Sequence, residues 1–473
     1  MKILLLRQAE EYIQTGILGH PPNVSSIYPP LGLEYIASSL ENKGYKVEII
    51  DFGAEVVSEE HLKNSLMSSD AVGMSVYTNN YKNAAAIAGT IKELDPDIPL
   101  IIGGPHCTFL KKQSLLDIPH ADIAVESEGE YVIPDLIKVF EARKKLSNVS
   151  GIFYRENNQI KSGKSLEIID NLDALPFHAR HLVDKYDYGN LPWGYKFKKK
   201  FTSMITSRGC PYRCRFCTRY GNIIKNWNFR KRSAENVVKE IQEINDKYKS
   251  VAILDDNFLA DIKRAHKIFD MLLETGTVMD LIIIGARVDS ADKDLYKKMK
   301  KVGVKYISFG IESGNQDVLD FYNKKITLQQ IKKAIHLARE MNFITQGTFI
   351  LGAPFETNRH IENTIKFAGS LPLDIAIFQP LSYEMGSDLW FEAVRDKKIS
   401  KNEYQVTADS HRDLGNFTAE KLNEYSKNAF KRFYLRPYYL LNQIHKALLQ
   451  KDFDHFKDVW KFVFSSQWKN ILS

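Results

Sequence analysis

Cysteine is scarce in this chain, four in 473 residues, and that scarcity excludes the disulfide framework of a small secreted domain. No apolar run approaches the roughly 18 to 20 residues of a membrane-spanning helix. Met1–Leu6 is too short for the apolar core of a signal peptide, so a cytoplasmic location is expected. Low-complexity tracts and internal repeats are also missing. Charge is nearly balanced, with 65 basic and 58 acidic residues for a net +7, which argues against a dedicated nucleic-acid binder. The exception is local: from Asp187 to Glu235 no acidic residue intervenes, while Lys196, Lys198, Lys199, Lys200, Arg208, Arg213, Arg215, Arg219, Lys225, Arg230, Lys231 and Arg232 alternate with aromatics. Such a stretch can bind single-stranded nucleic acid; compensation of an anionic centre explains it at least as well. With 44% hydrophobic residues, the chain has room for two or three domains with full cores.

Three of the cysteines, Cys210, Cys214 and Cys217, stand together in the run Ser207-Arg-Gly-Cys-Pro-Tyr-Arg-Cys-Arg-Phe-Cys-Thr218. A zinc knuckle would want a fourth Cys or His close by, and the flanks from Arg208 to Thr218 offer none. A [4Fe-4S] cluster normally takes four cysteines. Three therefore leave one iron open for a small bidentate ligand.

This motif resembles that of the radical S-adenosylmethionine (SAM) superfamily, and the resemblance extends over residues 200 to 400. It implies that the amino and carboxylate groups of SAM chelate the open iron and that SAM is cleaved to methionine and a 5′-deoxyadenosyl radical. Further segments follow in order. Arg232-Ser-Ala-Glu235 leads a helix in which Ser233 can cap and Val237, Val238, Ile241 and Ile244 can face a core. Four strand-like runs, Val251–Phe258, Leu281–Asp289, Tyr306–Gly314 and Gly347–Pro354, are separated by helical stretches. That alternation predicts a parallel sheet covered by helices, with the site at the carboxyl ends of the strands. Asp255, Asp256, Arg287, Glu312 and Ser313 fall there. The resemblance assigns Asp255 or Asp256 to the SAM ammonium, Glu312 and Ser313 to its ribose or methionine part, and Phe216 to the neighbourhood of the adenine. Arg287 is the candidate for the SAM carboxylate. The run Gln379–Asp388 departs from the Pro-Gly-Thr turn common in relatives.

The first 143 residues carry a second pattern. Met1–Leu6, Lys46–Ile50, Ala71–Ser75, Pro99–Gly103 and Asp122–Val125 are short buried-strand signals with helical patterns between them, including Leu33–Leu40 and Ala84–Leu94. They predict a doubly wound α/β sheet with its ligand at the carboxyl edge. Pro29-Pro-Leu-Gly-Leu33, Ser75-Val-Tyr-Thr78, Gly103-Gly-Pro-His106 and Glu126-Ser-Glu-Gly-Glu130 resemble the cobalamin-binding domain that precedes many radical SAM cores. The resemblance implies that Ser75, Thr78, Gly103, Gly104, Pro105, His106, Glu126, Gly129 and Glu130 surround the cofactor. The Asp-x-His-x-x-Gly signature of histidine-ligating domains is absent, the corresponding loop reading Asp51-Phe-Gly-Ala54, and Asp409–Gly415 comes within one residue of it by chance, far outside this domain. Cobalt without a protein histidine is therefore expected.

The organisation expected is a Rossmann-like cobalamin-binding domain at 1–143, a hairpin and linker at 144–200, a radical SAM partial (β/α) barrel at 201–400 and a mostly helical segment at 401–473. In the last, Phe453, Phe456, Trp460 and Val463 recur at helical spacing, a stripe that packs on its own domain or rests peripherally on a membrane. Tyr434-Leu-Arg-Pro437 resembles an element of the subgroup holding the anaerobic magnesium-protoporphyrin ester cyclases and hopanoid-modifying enzymes. The expected cofactors are a [4Fe-4S] cluster, SAM and cobalamin, and the expected activity is methylation of an unactivated carbon of a small molecule, with methylcobalamin as donor. A flavodoxin or ferredoxin would supply single electrons. Cyclisation, oxidation or rearrangement without methyl transfer is the alternative within the family. RNA modification and cobalamin binding alone are the alternatives outside it, the former disfavoured because the first domain holds only Cys107 and cannot build the second cluster of the methylthiotransferases.

Overall fold

In the computed structural model, which describes residues 1–8, 28–189, 200–437 and Tyr439, each apolar run expected as a strand forms one. The chain divides into two compact units, Met1–Gly189 and Asn190–Ser473.

The first unit runs β1 (Lys2–Arg7), α1 (Leu31–Glu41), β2 (Lys46–Asp51), α2 (Glu59–Met67), β3 (Ala71–Ser75), α3 (Tyr81–Leu94), β4 (Leu100–Gly103), α4 (Pro105–Leu110), α5 (Lys112–Asp117), β5 (Ile123–Val125), α6 (Gly129–Glu141), β6 (Ile152–Glu156) and β7 (Gln159–Ser162). Its strands lie in the order β2-β1-β3-β4-β5-β6-β7. The first five are parallel, as buried apolar strands joined by helices must be. Winding reverses between β1 and β3, which opens a crevice at the carboxyl edge. The expected hairpin is present as β6 and β7, turned by Asn157 and Asn158 at φ 50° and 61°, the pair of left-handed residues that a two-residue hairpin loop requires. Instead of standing in a linker, it pairs antiparallel with β5 and extends the first sheet. Further along, His178 Nδ1 meets Glu34 Oε2 of α1 at 2.6 Å, both side chains fully buried. Residues 144–189 thus belong to the first unit.

The second unit runs β8 (Phe201–Met204), β9 (Ser207–Arg208), β10 (Arg230–Lys231), α7 (Ala234–Ile244), β11 (Ser250–Ile253), α8 (Ile262–Glu274), β12 (Asp280–Ala286), α9 (Lys293–Val302), β13 (Val304–Glu312), α10 (Gln316–Phe321), α11 (Leu328–Glu340), β14 (Ile344–Leu351), α12 (Asn358–Ser370), β15 (Ile375–Pro380), β16 (Ser382–Glu384), α13 (Asp388–Arg395), β17 (Gln405–Thr407) and α14 (Ala419–Tyr434). Six parallel strands, β8-β11-β12-β13-β14-β15, stand side by side in chain order, the arrangement of a partial (β/α) barrel. Val251, Ile253, Leu281, Ile283, Ile307, Phe309, Ile311, Phe349 and Leu351 face the helices in one core. Ser233 Oγ accepts from Asn236 N–H at 3.1 Å to open α7, and Val237, Val238, Ile241 and Ile244 are all buried. Tyr434 and Arg436 anchor the end of α14: the Tyr434 hydroxyl accepts from Ala376 N–H of β15 at 3.1 Å, and Arg436 stacks 4.0 Å over Phe433. The Phe453–Val463 stripe lies outside the described residues. Among the described residues no helix is long and apolar enough to cross a membrane.

Candidate active site

The three-cysteine loop is held from below. Asp255, just past β11, accepts from Thr206 N–H and Thr206 Oγ1 at 2.5 Å and from Ser207 Oγ at 2.6 Å. Burial pushes its carboxyl up, and these bonds work against the shift. Asp255 is therefore consumed in fixing the segment that leads into Cys210, which leaves Asp256 as the acid open to a ligand. Asp256 is solvent-exposed at its rim, yet desolvation first and the Asp255 charge second push its carboxyl up, while Gly209 N–H donates to it. Gly285 makes this geometry available: at φ 77° it bulges β12, and a Cβ there would lie 2.8 and 2.9 Å from the Asp255 and Asp256 carbonyl oxygens. Only glycine fits that approach.

On its other flank the loop is tied to the turn after α10. Arg215 N–H donates to the Tyr322 carbonyl at 3.0 Å, and Asn323 Nδ2 donates to the Arg213 carbonyl at 2.7 Å. Lys324, in that turn, is buried and donates to Glu312 Oε1 at 2.6 Å. Burial opposes its charge, but Glu312 and Cys214 more than offset this and hold the ammonium above its ordinary value. Phe216 is half-buried, edge-on to Tyr322 at 5.0 Å, with the Lys324 ammonium 5.8 Å from its ring centre.

Two expected residues are placed otherwise. Ser313 is fully buried, and its hydroxyl is shared with Thr364 Oγ1 at 3.2 Å and Asn315 N–H at 3.2 Å, so it braces the end of β13 and presents nothing to a ligand. Arg287 has its fork on Asp289 at 3.0 and 2.8 Å and a further bond to the Lys324 carbonyl at 2.6 Å. A second carboxylate cannot be received in the same way. Lys324 and Tyr212 escaped sequence reasoning because each lies in an irregular turn without periodicity, and Glu384 because the three-residue strand it ends is too short to show any. Glu384, whose carboxyl burial pushes up, accepts from Thr218 Oγ1 at 3.4 Å and Gln405 Nε2 at 3.2 Å. Arg219 pairs with Asp388 at 2.6 Å, so the run 379–388 anchors the chain just after the cysteines. The basic stretch finds its acids inside the unit: Arg215 with Glu392, Lys231 with Asp261 and Arg232 with Glu240.

The thiols themselves fit a cluster. Burial first, then the neighbouring Asp256 and Cys214, push Cys210 up; Cys217, exposed on its outer side, is pushed up to about 12 by desolvation within the loop, with Cys214, Asp256 and Cys210 adding to it. Among the described residues no three His, Cys, Asp or Glu side chains close on one point as ligands of a single ion. A cubane has no such need, because each thiolate takes a separate iron corner. Cys210 and Cys217 beside the Asp256 carboxylate resist ionisation on their own and would be relieved by a cationic centre. Cys107 is different: in α4 it is completely buried, and burial pushes its thiol up to about 12.

In the first unit, the expected cobalamin loops gather at the carboxyl edge. Ser75 and Gly103 are register partners at the ends of β3 and β4. Gly104, at φ 94°, packs so that a Cβ would meet the Val76 carbonyl at 3.0 Å and Ser75 Oγ at 3.2 Å. Pro105 opens α4, and Thr108 Oγ1 receives Ser127 N–H at 3.0 Å, joining this turn to the one that starts α6 at Gly129. Thr78 is half-buried in the turn after β3. His106 turns inward: it is fully buried, stacked on Tyr81 at 4.9 Å and within 3.3 Å of Asp117, so its side chain supports the edge from within. Glu126 pairs with Lys111 at 3.1 Å and Glu130 is buried. Asp51, in the loop taken as the histidine-ligand position, binds Arg7, Tyr188 and Gly53 N–H.

Residues 204–368 match the model of the radical SAM superfamily, and residues 22–137 match that of the B12 binding domain. An uncharacterized methyltransferase of Pyrococcus horikoshii is 30% identical over 452 residues, covering 94% of this chain and 95% of that one. The anaerobic magnesium-protoporphyrin IX monomethyl ester cyclase of Cereibacter sphaeroides is 27% identical over 87% of this chain and 68% of its own length. Among solved structures, the cobalamin-dependent SAM radical enzyme OxsB, with aqua-cobalamin and SAM bound, has the same fold at a TM-score of 0.70 and 19% identity, covering 96% of this chain and 72% of that one. With its cysteine loop at the mouth of a parallel barrel and a doubly wound domain ahead of it, the chain belongs to the radical SAM superfamily, in the branch of cobalamin-dependent enzymes that use a [4Fe-4S] cluster, SAM and cobalamin.

Proposed function

We propose that the enzyme methylates an unactivated carbon of a small molecule. The observation that carries this reading is the pairing, in one chain, of a B12-binding domain with a three-cysteine radical SAM loop, together with a methyltransferase relative matched over nearly the full length. When bound, the cluster and SAM supply a carbon-centred radical that abstracts hydrogen, and cobalamin supplies the methyl group. The protein's own part is positional. Cys210, Cys214 and Cys217 would hold three irons of the cluster, Asp256 would receive the SAM ammonium, the Glu312–Lys324 pair fixes the end of β13 for its ribose or methionine part, and Phe216 would flank the adenine. In the first unit Ser75, Thr78 and Gly103 would border the cofactor at the carboxyl edge, where Gly104 lets the turn after β4 pack closely on the end of β3.

Tyr306 donates to Gln346 Oε1 at 2.5 Å and Gln346 Nε2 donates to Ser308 Oγ at 2.9 Å, which ties β13 to β14 in their amino-terminal halves, below the carboxyl ends where the cysteine loop stands. Single electrons would come from a protein such as flavodoxin or ferredoxin. The cyclase reading draws on the cyclase relatives and differs in its product. Incubating the reduced, cobalamin-loaded protein with methyl-labelled SAM decides between them. Transfer of the label to the corrinoid, with 5′-deoxyadenosine formed, is the expected result; 5′-deoxyadenosine without any labelled corrinoid would overturn methylation and favour cyclisation or oxidation.

A further inference from the structure

Arg287 leaves β12 immediately beyond the Gly285 bulge and is almost completely buried. Nε and Nη2 chelate Asp289, Nη2 also reaches the Lys324 carbonyl, and Nη1 points at the Cys214 sulfur from 3.9 Å. The guanidinium carbon lies 3.7 Å over the Tyr212 ring, within the cysteine loop itself. Of the five N–H donors of arginine, four are committed. What remains is a cation locked in one orientation against a cluster ligand. Lys324, also buried, places a second positive charge near the same sulfur.

The geometry points to Arg287 as a positioning residue that raises the reduction potential of the iron–sulfur centre through its N–H to the Cys214 sulfur, with Asp289 as the opposing charge that moderates it. The inference rests on the reading of Cys210, Cys214 and Cys217 as cluster ligands. One-electron reduction adds negative charge that spreads onto the thiolates. A buried cation and a hydrogen bond at sulfur stabilise that reduced state more than the oxidised one, and net charge and hydrogen bonds to sulfur are the levers that set such potentials. The low dielectric of a buried site strengthens the effect. Asp289 bonds the guanidinium on edges other than the one facing sulfur, so it holds the fork in place while cancelling part of its charge.

The test is an anaerobic redox titration of the reconstituted full-length protein without SAM, with the reduced cluster followed by paramagnetic resonance and iron and sulfide measured in each sample. Arg287→Gln should shift the midpoint to lower potential, Arg287→Lys less so, and Asp289→Asn should shift it to higher potential. A merely structural role for the pair gives no reason for opposite signs. An unchanged or raised midpoint in Arg287→Gln, or a lowered one in Asp289→Asn, overturns the inference while the cysteine reading stands. Wild-type protein that binds no cluster overturns the cysteine reading instead. If Arg287→Gln alone fails to hold iron, Arg287→Lys and Asp289→Asn decide the sign.

Discussion

Glu312 ends β13 at φ 68°, a left-handed conformation that costs a non-glycine residue about 1–3 kcal/mol. The strain is offset by its buried bond to Lys324, and a Cβ at Gly310 would fall 2.5 Å from the same carboxylate, so the strand leaves room for it. Glu312→Ala strands the Lys324 ammonium in the interior. Breaking a buried pair in this way costs about 3–5 kcal/mol, so the expected outcome is a lower unfolding midpoint together with weaker SAM binding in a titration; unchanged SAM affinity at a folded site would make the pair structural alone. The cysteines divide by the same kind of reasoning. Cys210→Ala, Cys214→Ala and Cys217→Ala each remove one of three protein ligands and should abolish SAM cleavage, whereas Cys107→Ala, in the packed core of the other unit, should leave iron and sulfide content unchanged. Full cluster content in all three loop variants would refute the ligand set.

At the scale of elements, the turn after β14 shows how a short segment can store a pH response. Gly352, at φ 106°, and Ala353 both donate to Glu356 Oε2, at 2.6 and 2.7 Å. Burial pushes the Glu356 carboxyl up from 4.5 to about 7, against the pull of those bonds. Above pH 4.5 the unfolded chain has lost this proton while the folded one keeps it to about 7, so folding takes up a proton and stability falls with rising pH across that window. The difference is roughly 3 kcal/mol at about 1.4 kcal/mol per unit. Denaturant unfolding at pH 5 and pH 8 should show a larger loss for the wild type than for Glu356→Gln; equal losses would remove Glu356 from the account. The legibility of elements follows from what each needs. Strands of continuous apolar residues, such as Leu281–Ile284, declare themselves. β8 carries Thr202 and Ser203 in its middle and β15 ends in Gln379-Pro380, so neither stood among the strand runs. The cysteine loop is legible because ligand spacing is local, while the roles of Asp255 and Ser313 are not, because each is decided by partners 49 and 51 residues away; Arg287 has its fork on Asp289, only two residues on, and what the sequence leaves open there is the geometry of the turn.

For the whole molecule, the boundary of the first unit carries the most consequence. A break after residue 143, where helical pattern stops, is the reading that sequence favours, but the sheet continues through β6 and β7 and the unit ends at Gly189. Cutting at 143 would expose the full edge of β5, a strand of Ile-Ala-Val that is entirely buried, and an uncovered apolar edge invites pairing with another chain. It would also remove His178 from Glu34, leaving a fully buried carboxylate without the imidazole 2.6 Å away, and it would take Tyr188 from Asp51, to which its hydroxyl donates at 2.8 Å. The fragment 1–189 keeps all of these and has its own core, from Leu4 and Leu6 through Ile102 and Ala124, as an independently folding domain requires. Expressed alone, 1–189 should be soluble, unfold cooperatively and bind cobalamin with a shifted corrin spectrum, without iron. The fragment 1–143 should aggregate or unfold at a much lower denaturant concentration. Equal stability of the two fragments would show that the hairpin and the His178–Glu34 clamp are dispensable, and a stable 1–189 that ignores cobalamin would move the cofactor's determinants outside this unit.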